Sequence, residues 1–432
     1  MATSDFLTAL SQRIHTSNNP EYTLENLPHS FWKIDQLAAF QPVQTRQTIL
    51  QHTGVPSPYF LTHQQTAGAT TEINDQPHIN FATYNYLGLN GQPTVKAAAQ
   101  AAIEQYGTSV SSSRIVSGER HFHRELETAI AAVYQAEDSV AFVSGHATNV
   151  STIGHLFGEK DLILHDALSH NSIVQGALLS GAARLSFPHN DMHVLNDLLT
   201  QHRLNYQKVL IVTEGLFSMD GDTPPLAELI TLKQQHKTFL MVDEAHSLGV
   251  LGQTGRGSFE QQQVNPQDID LWMGTLSKTL ASCGGYIAGN AHLIEYLRYT
   301  APGFLYSVGL APPLAAASLA ALQHWQMHPE YVTHLQHNGH YFLQQAQHTG
   351  LDTGHAEGHA VIPIIIGNSL RTVKIAHQLM TEHQVIAQPV IYPAVAEKSA
   401  RLRFFLTCNH TAAHIDHTIH ALQQLLTPDT VA

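Results

Sequence analysis

Short unbroken apolar runs alternate with stretches of helical spacing through the middle of the chain. The runs are Ser139–Val143, Leu162–Leu164, Val209–Thr213, Phe239–Val242, Leu271–Met273 and Tyr286–Ala288. Runs without polar alternation suit strands covered on both faces, and helical patterns between them predict a mainly parallel α/β sheet. Upstream, HINFATYNYLGL (78–89) reads as a strand followed by a turn. Residues 93–107 and 121–136 have helical spacing on either side of a Ser/Gly loop, TSVSSSRIVSGE. Downstream, Ala311–His328 opens a long helix with Pro312 and Pro313 in its first turn. The remainder mixes helices with short strands at 360–367, 385–393 and 400–407, which predicts a smaller α+β domain. The N-terminal stretch is polar and broken by Pro20, Pro28 and Pro42, with helical periodicity near Phe6–Ile14 and Phe31–Ile49. The organisation expected is an N-terminal arm (1–55), a large domain (56–310), and a linking helix with a smaller C-terminal domain (311–432).

Composition narrows the picture. At 432 residues the chain is too long for one simple core. No apolar run approaches the ~20 residues of a membrane span, and the first residues lack a signal-peptide core. With only two cysteines, Cys283 and Cys408, a disulfide framework is excluded and a reducing cytoplasm is expected. A net charge of −13 argues against nucleic acid or an anionic membrane as partner. The 31 histidines are the unusual figure. They are scattered, many in polar helices (His202, His236, His324, His334, His337, His340, His348), and neither HExxH nor a Cys/His zinc pattern occurs. Surface positions, and no metal site, are the expectation for most of them.

In open α/β sheets ligands bind beyond the carboxyl ends of strands, so the residues after each run matter most. After SVAFV come Ser144, Gly145 and His146 and then a helix, an anion site suited to phosphate. After LILHD comes His170. After VLIVT come Glu214, Ser218 and Asp220. After FLMV come Asp243, Glu244 and His246, and after LWM come Thr275, Ser277 and Lys278. A carboxylate ending a buried strand is costly unless it meets a cation. A lysine in a semi-apolar pocket has a lowered pKa and can form a Schiff base. A Schiff-base lysine with an acid for a pyridinium nitrogen is the protein's side of pyridoxal-phosphate chemistry.

The motifs NYLGL (85–89), SRIVSGERHFHRELE (113–127), LSHNSI (168–173), FPHND (187–191), TEGLFSMDGD (213–222), VDEAHSLGVLGQTGRG (242–257), GTLSKTL (274–280) and ARLRFFLT (400–407) resemble those of the α-oxoamine synthases, a family of fold-type I pyridoxal-phosphate enzymes. The resemblance spans about residues 75–425. TYNYLGL and DEAHSLG look most like the serine palmitoyltransferase branch and like synthase domains of polyketide assembly lines. It implies that Lys278 carries the cofactor and shuttles the α-proton, that Asp243 pairs with the ring nitrogen, and that His170 stacks on the ring. It also implies His246 and Ser218 at the phenolic oxygen, Gly145, His146, Thr275 and Ser277 at the phosphate, Arg403 on the amino acid carboxylate, and Tyr84 and Asn85 on the substrate side. The implied reaction condenses an amino acid with an acyl thioester, on CoA or an acyl carrier protein, with loss of CO2. The implied assembly is a homodimer with shared sites.

Two departures stand out. YSVGLAPP (306–313) has Val308 and Gly309 where relatives often carry hydroxyls for the neighbouring subunit's phosphate, leaving Ser307 as the substitute. Gln388 stands where the 8-amino-7-oxononanoate synthase branch often has arginine. Rival readings are that branch or a glycine C-acetyltransferase, a non-catalytic partner subunit, and a histidine-rich metal-binding protein. Lys278 opposes the non-catalytic subunit.

Overall fold

The computed structural model describes residues 22–426. The chain divides into two compact units, Met1–Tyr59 and Phe60–Ala432. In the first, the stretch expected to be helical from Phe31 begins as three single 3-10 turns, His29–Phe31, Ile34–Gln36 and Ala38–Phe40. It becomes α-helical only over Gln41–Thr53, with Pro42 in the first turn, where a missing N–H costs nothing. The helix expected near Phe6–Ile14 lies outside the described residues.

The second unit opens with a hairpin, β1 (Thr70–Ile73) and β2 (Gln76–Asn80). Its centre is a seven-stranded sheet. The strands are β3 (Asp138–Phe142), β4 (Leu162–Asp166), β5 (Ala183–Phe187), β6 (Val209–Glu214), β7 (Phe239–Asp243), β8 (Leu271–Thr275) and β9 (Gly285–Gly289). Their spatial order is β3-β9-β8-β7-β6-β4-β5, and only β9 runs antiparallel to its neighbours. All six apolar runs are strands. Their side chains alternate between two cores. Leu162, Leu164, Val209, Ile211, Leu240, Val242 and Trp272 enter one, and Ile163, Leu210, Val212, Met241, Leu271 and Met273 the other. Both faces are therefore covered, which is why the runs show no polar alternation. Strand β5 was not anticipated. It is the sheet edge, and Arg184 and Ser186 break its apolar pattern.

Further along, β10 (Val361–Ile365), β11 (Val385–Ile386), β12 (Gln388–Val390) and β13 (Arg401–Phe405) follow. The expected strand at 385–393 splits: β11 joins β2 in parallel, while β12 pairs with β13 in a second sheet ordered β10-β13-β12.

The Ser/Gly loop contains a π-helical turn, Arg114–Gly118. Arg114 is buried and pairs with Glu119 (2.6 Å) and with the fully buried Glu127, which also receives Arg124 (2.7 Å) and Arg298 (3.0 Å). Such a network is held together by mutual satisfaction, since removing one member strands a buried charge. Gly309 lies against it. A Cβ there would stand 2.9 Å from Arg114 Cγ and 3.0 Å from Val110 Cγ2. The missing hydroxyl at this position thus has a steric cause. Gly309→Ser is expected to destabilise the protein by about 1–3 kcal/mol, read as a lowered urea midpoint. An unchanged midpoint would show that Arg114 gives way freely.

Candidate active site

Strands β3, β4, β6, β7 and β8 are parallel, so their carboxyl ends share one rim. Register places Glu214, the last residue of β6, beside Asp243, the last of β7. Both are buried. Asp243 Oδ2 accepts from Asn149 Nδ2 (2.8 Å) and Oδ1 from the Ala245 N–H (3.0 Å). Glu214 Oε1 accepts from the His170 N–H (2.6 Å). Burial and the nearby Asp243 push the Glu214 carboxyl up to about 8.

Lys278 follows β8. Part of its side chain is open to the cleft, but withdrawal of the amine from water draws it down to about 8, with Arg403 contributing, against the opposing pull of Asp243 and Glu214. Its Nζ lies 5.6 Å from the centre of the Tyr84 ring. Tyr84 is half-exposed and packs edge-on against Phe405.

His246 is buried and held well below its ordinary value, by burial first and then by Lys278 and Arg403. Tyr86 Oη lies 2.6 Å from His246 Nδ1. Burial raises the Tyr86 phenol well above its ordinary value. The phenol therefore donates, which leaves the proton of the neutral imidazole on Nε2. The preceding acid of the motif, Glu244, has a different task. It accepts the Ser258 N–H (3.0 Å) and hydroxyl, and burial raises it to about 7.

His170 caps helix Asn171–Ser180 and keeps an exposed face. Its Nδ1 meets Ser172 Oγ at 2.7 Å. Partial withdrawal from water lowers its pKa, opposed by Asp243. The His146 ring stands 6.5 Å away, edge-on, in the first turn of helix Gly145–Leu156. The first N–H groups of such a helix have no partner within it. A Cβ at Gly145 would meet Thr275 Oγ1 at 2.8 Å, and one at Gly285 would meet Gly145 Cα at 2.7 Å. Thr275 Oγ1 donates to the Gly284 carbonyl (2.9 Å) and accepts the Ser277 N–H (3.2 Å). This rim is a shallow cradle of N–H and hydroxyl groups that side chains would fill.

Arg403, on β13, is buried with its guanidinium over Phe405 (4.5 Å). Nη1 donates to the Ser218 carbonyl (3.1 Å) and contacts Met219 Sδ (3.2 Å), while Nε is buried without a partner. Ser218 is tied into the site through its main chain. Asn85 spends its amide on the Ala67 carbonyl (2.7 Å) and the Asn90 N–H (3.2 Å). It clamps the turn that carries Tyr84. Ser307 Oγ donates to the Val308 carbonyl (3.3 Å). The sequence reading singled out neither Asn149 nor Tyr86, and it gave Glu214 no role. Glu214 had a signal, a carboxylate ending a buried strand; the other two act through contacts spanning 94 and 160 residues.

Beside this cleft, His189 Nδ1 meets both oxygens of Asp166 (3.0 and 3.1 Å) and Nε2 meets Asp222 (2.7 Å). The two carboxylates outweigh the cost of burial and raise its pKa to about 10 from an ordinary 6.5. The folded state thus holds a proton that the unfolded chain releases above 6.5. The stabilisation is complete below 6.5, declines as pH rises and is lost above about 10. The unfolding free energy of wild type minus that of His189→Gln should shrink across this window. A pH-independent difference would mean that His189 is neutral.

The described residues contain no helix long and apolar enough to cross a membrane, and no group of three or more His, Cys, Asp or Glu placed to hold a metal ion. Residues 76–422 match the family described as Aminotransferase class I and II. A Nostoc punctiforme protein that carries the provisional name 8-amino-7-oxononanoate synthase is 41% identical over 362 residues, covering 83% of this chain and 90% of the relative. The 8-amino-7-oxononanoate synthase of Treponema denticola is 35% identical over 365 residues, 84% of this chain and 92% of its own. Among solved structures, Sphingomonas wittichii serine palmitoyltransferase superposes with a TM-score of 0.86 at 28% identity, covering 90% of this chain and 97% of that one. The chain belongs to the aminotransferase class I and II family, and its fold is that of the fold-type I pyridoxal-phosphate transferases. Its named relatives and structural neighbours are α-oxoamine synthases.

Proposed function

We propose that the protein is a pyridoxal-phosphate-dependent α-oxoamine synthase. It joins a small amino acid (serine, glycine or alanine) to an acyl thioester, releasing CO2 and a thiol and leaving an α-amino ketone. The observation that carries this reading is that Lys278, just after β8, follows the strand paired with β7, which ends on the buried Asp243.

The residues present fit the cofactor. The Gly145 cradle offers the start of helix Gly145–Leu156, whose first N–H groups have no partner within the helix, and the Thr275 and Ser277 hydroxyls for a phosphate, and a Cβ at Gly145 would crowd Thr275. Asp243 offers a buried carboxylate for a pyridinium nitrogen. Pyridoxal phosphate, when bound, supplies an electron sink for the carbanion at the amino acid α-carbon.

The chain's own residues do the rest. Lys278, with its lowered pKa, gives up its proton more readily near neutrality than an ordinary lysine, so it can attach the cofactor and then take and return the proton at the α-carbon. Asn149 and the Ala245 N–H fix the Asp243 carboxylate. His246 can donate its Nε2 proton to the ring oxygen because Tyr86 occupies Nδ1. His170 presents its open face to the ring. Arg403 keeps donors for a substrate carboxylate, since its contacts with the Ser218 carbonyl and Met219 Sδ engage only Nη1. Tyr84 walls the cleft beside Lys278. A homodimer with shared sites is part of this reading.

A second reading, 8-amino-7-oxononanoate synthase, is favoured by the sequence relatives. It requires alanine and a dicarboxylic acyl chain, whose far carboxylate would need a cation. Gln388, in register opposite Arg403, offers only an amide there. Mass spectrometry of products from serine, glycine and alanine against dicarboxylic and long aliphatic acyl thioesters, on CoA and on carrier protein, tests both. An α-amino ketone from an aliphatic chain is expected. A product confined to the dicarboxylic chain would establish the second reading, and transamination alone would overturn both.

A further inference from the structure

The FPHND stretch takes no part in the chemistry above, yet it meets both turns that carry site residues. Asp166 ends β4. Its Oδ1 accepts the Leu168 N–H (2.8 Å), two residues before His170, and its Oδ2 accepts the Asn190 N–H (2.9 Å). Asp222 closes the turn after β6, where its carbonyl accepts the Phe217 N–H (3.0 Å) and the Phe217 carbonyl accepts the Gly221 N–H (2.9 Å). That turn displays Ser218 and Met219, on which Arg403 rests, and Asp220, which pairs with Arg401 at 2.6 Å.

His189 stands between the two acids, one ring nitrogen on each, with the Phe217 ring edge-on at 4.5 Å. Two acceptors on opposite sides require two N–H donors pointing apart, which among side chains of this size only the imidazolium offers. Other contacts also hold the turn: Arg401 Nη1 donates to the Met219 carbonyl (2.9 Å), and the Gly221 carbonyl accepts the Glu357 N–H (3.1 Å). Gly221, at φ +75°, passes so close to the Val361 carbonyl that a Cβ would meet it at 2.0 Å, so only bare backbone faces β10 there. Asn190 Nδ2 donates to the Thr223 carbonyl (3.0 Å). Asp222 Oδ1 is buried without a partner, so the carboxylate is anchored through its other oxygen.

We propose that His189 is a positioning residue: it ties the turn after β4 to the turn after β6 through Asp166 and Asp222, and so sets where Arg403 meets the substrate carboxylate relative to the Lys278 cleft. This rests on the α-oxoamine synthase reading, in which Arg403 binds the amino acid. Loss of one hydrogen bond to a charged group is enough to weaken binding by about 10- to 100-fold.

The test compares wild type, His189→Gln, Asp222→Asn and the double variant as holoenzymes. The amino acid Kd is measured by calorimetry without thioester, and steady-state kinetics give both KM values and kcat. Each single variant should raise the amino acid Kd and KM about 10- to 100-fold, leave the thioester KM unchanged, and match the double variant, as partners in one link do. Asp222→Asn keeps the His189–Asp166 contact and carries the same prediction if His189→Gln does not fold. Unchanged amino acid affinity, additive losses, or an equal loss of thioester affinity would overturn the proposal. If wild type itself makes no α-amino ketone, the functional reading fails, and the calorimetric comparison still decides the role of His189.

Discussion

Lys278→Ala should lower turnover by roughly 10²–10⁴-fold from loss of the proton carrier alone, more if cofactor retention also falls. The argument is electrostatic. An ammonium on this side chain would be poorly solvated, which is why its pKa drops from 10.5 to about 8. Borohydride treatment followed by peptide mass analysis gives a readout that does not depend on turnover. Wild type should carry the cofactor mass on the peptide containing Lys278, and the variant should carry none. A variant as active as wild type would remove Lys278 from the mechanism.

Asp243→Asn should reduce turnover by about 10²–10³-fold, the scale on which one preorganised electrostatic partner acts. Asparagine preserves the shape, but its single amide oxygen can accept from only one of Asn149 Nδ2 and the Ala245 N–H, and it brings no negative charge to a ring nitrogen. The loss therefore reports charge together with the one acceptor contact that asparagine gives up. A second signature has a definite sign. Asp243 raises both Lys278 and Glu214, so removing its charge lowers both. The limbs of the pH–rate profile that follow these groups should move to lower pH. Full activity with an unmoved profile would place the ring-nitrogen partner elsewhere.

Much of this site is legible along the chain because parallel strands deliver their next residues to one rim. Asp243 ends a strand while Lys278 and His170 follow one, and the rule for open sheets is enough to gather them. Arg403 depends on the ARLR resemblance, since nothing in β13 alone marks it for the cleft. Tyr86 on His246 and Asn149 on Asp243 are unreadable for a different reason: each joins segments whose separation no periodicity encodes. The same limit applies to β5, an edge strand whose polar alternation hides it among loops, and to Gly309, whose bareness makes sense only beside Arg114. The histidines show where composition misleads. His324, His334 and His337 are half-buried or exposed, as expected of polar helices, whereas His123, His246 and His410 are buried. Burial lowers His410 to about 3 and His123 to about 4, and these neutral rings take no part in any charge swing near neutrality.

The Thr275–Gly285 segment gathers these effects in one turn. Thr275 and Ser277 present hydroxyls on the cradle, Lys278 presents the amine, and Gly285 lets the backbone of Gly145 pass close by. A residue with a Cβ at 285 would press on Gly145 Cα at 2.7 Å and on Thr148 Oγ1 at 2.5 Å. The strand, the cradle and the nucleophile are thus set by the same few residues.

The most direct test of the decarboxylative condensation uses an amino acid labelled in its carboxyl group, supplied with an accepted acyl thioester. Labelled CO2 and free thiol should appear in equal amounts, each matching the α-amino ketone formed. Free thiol without labelled CO2, or labelled CO2 without thiol, would contradict it.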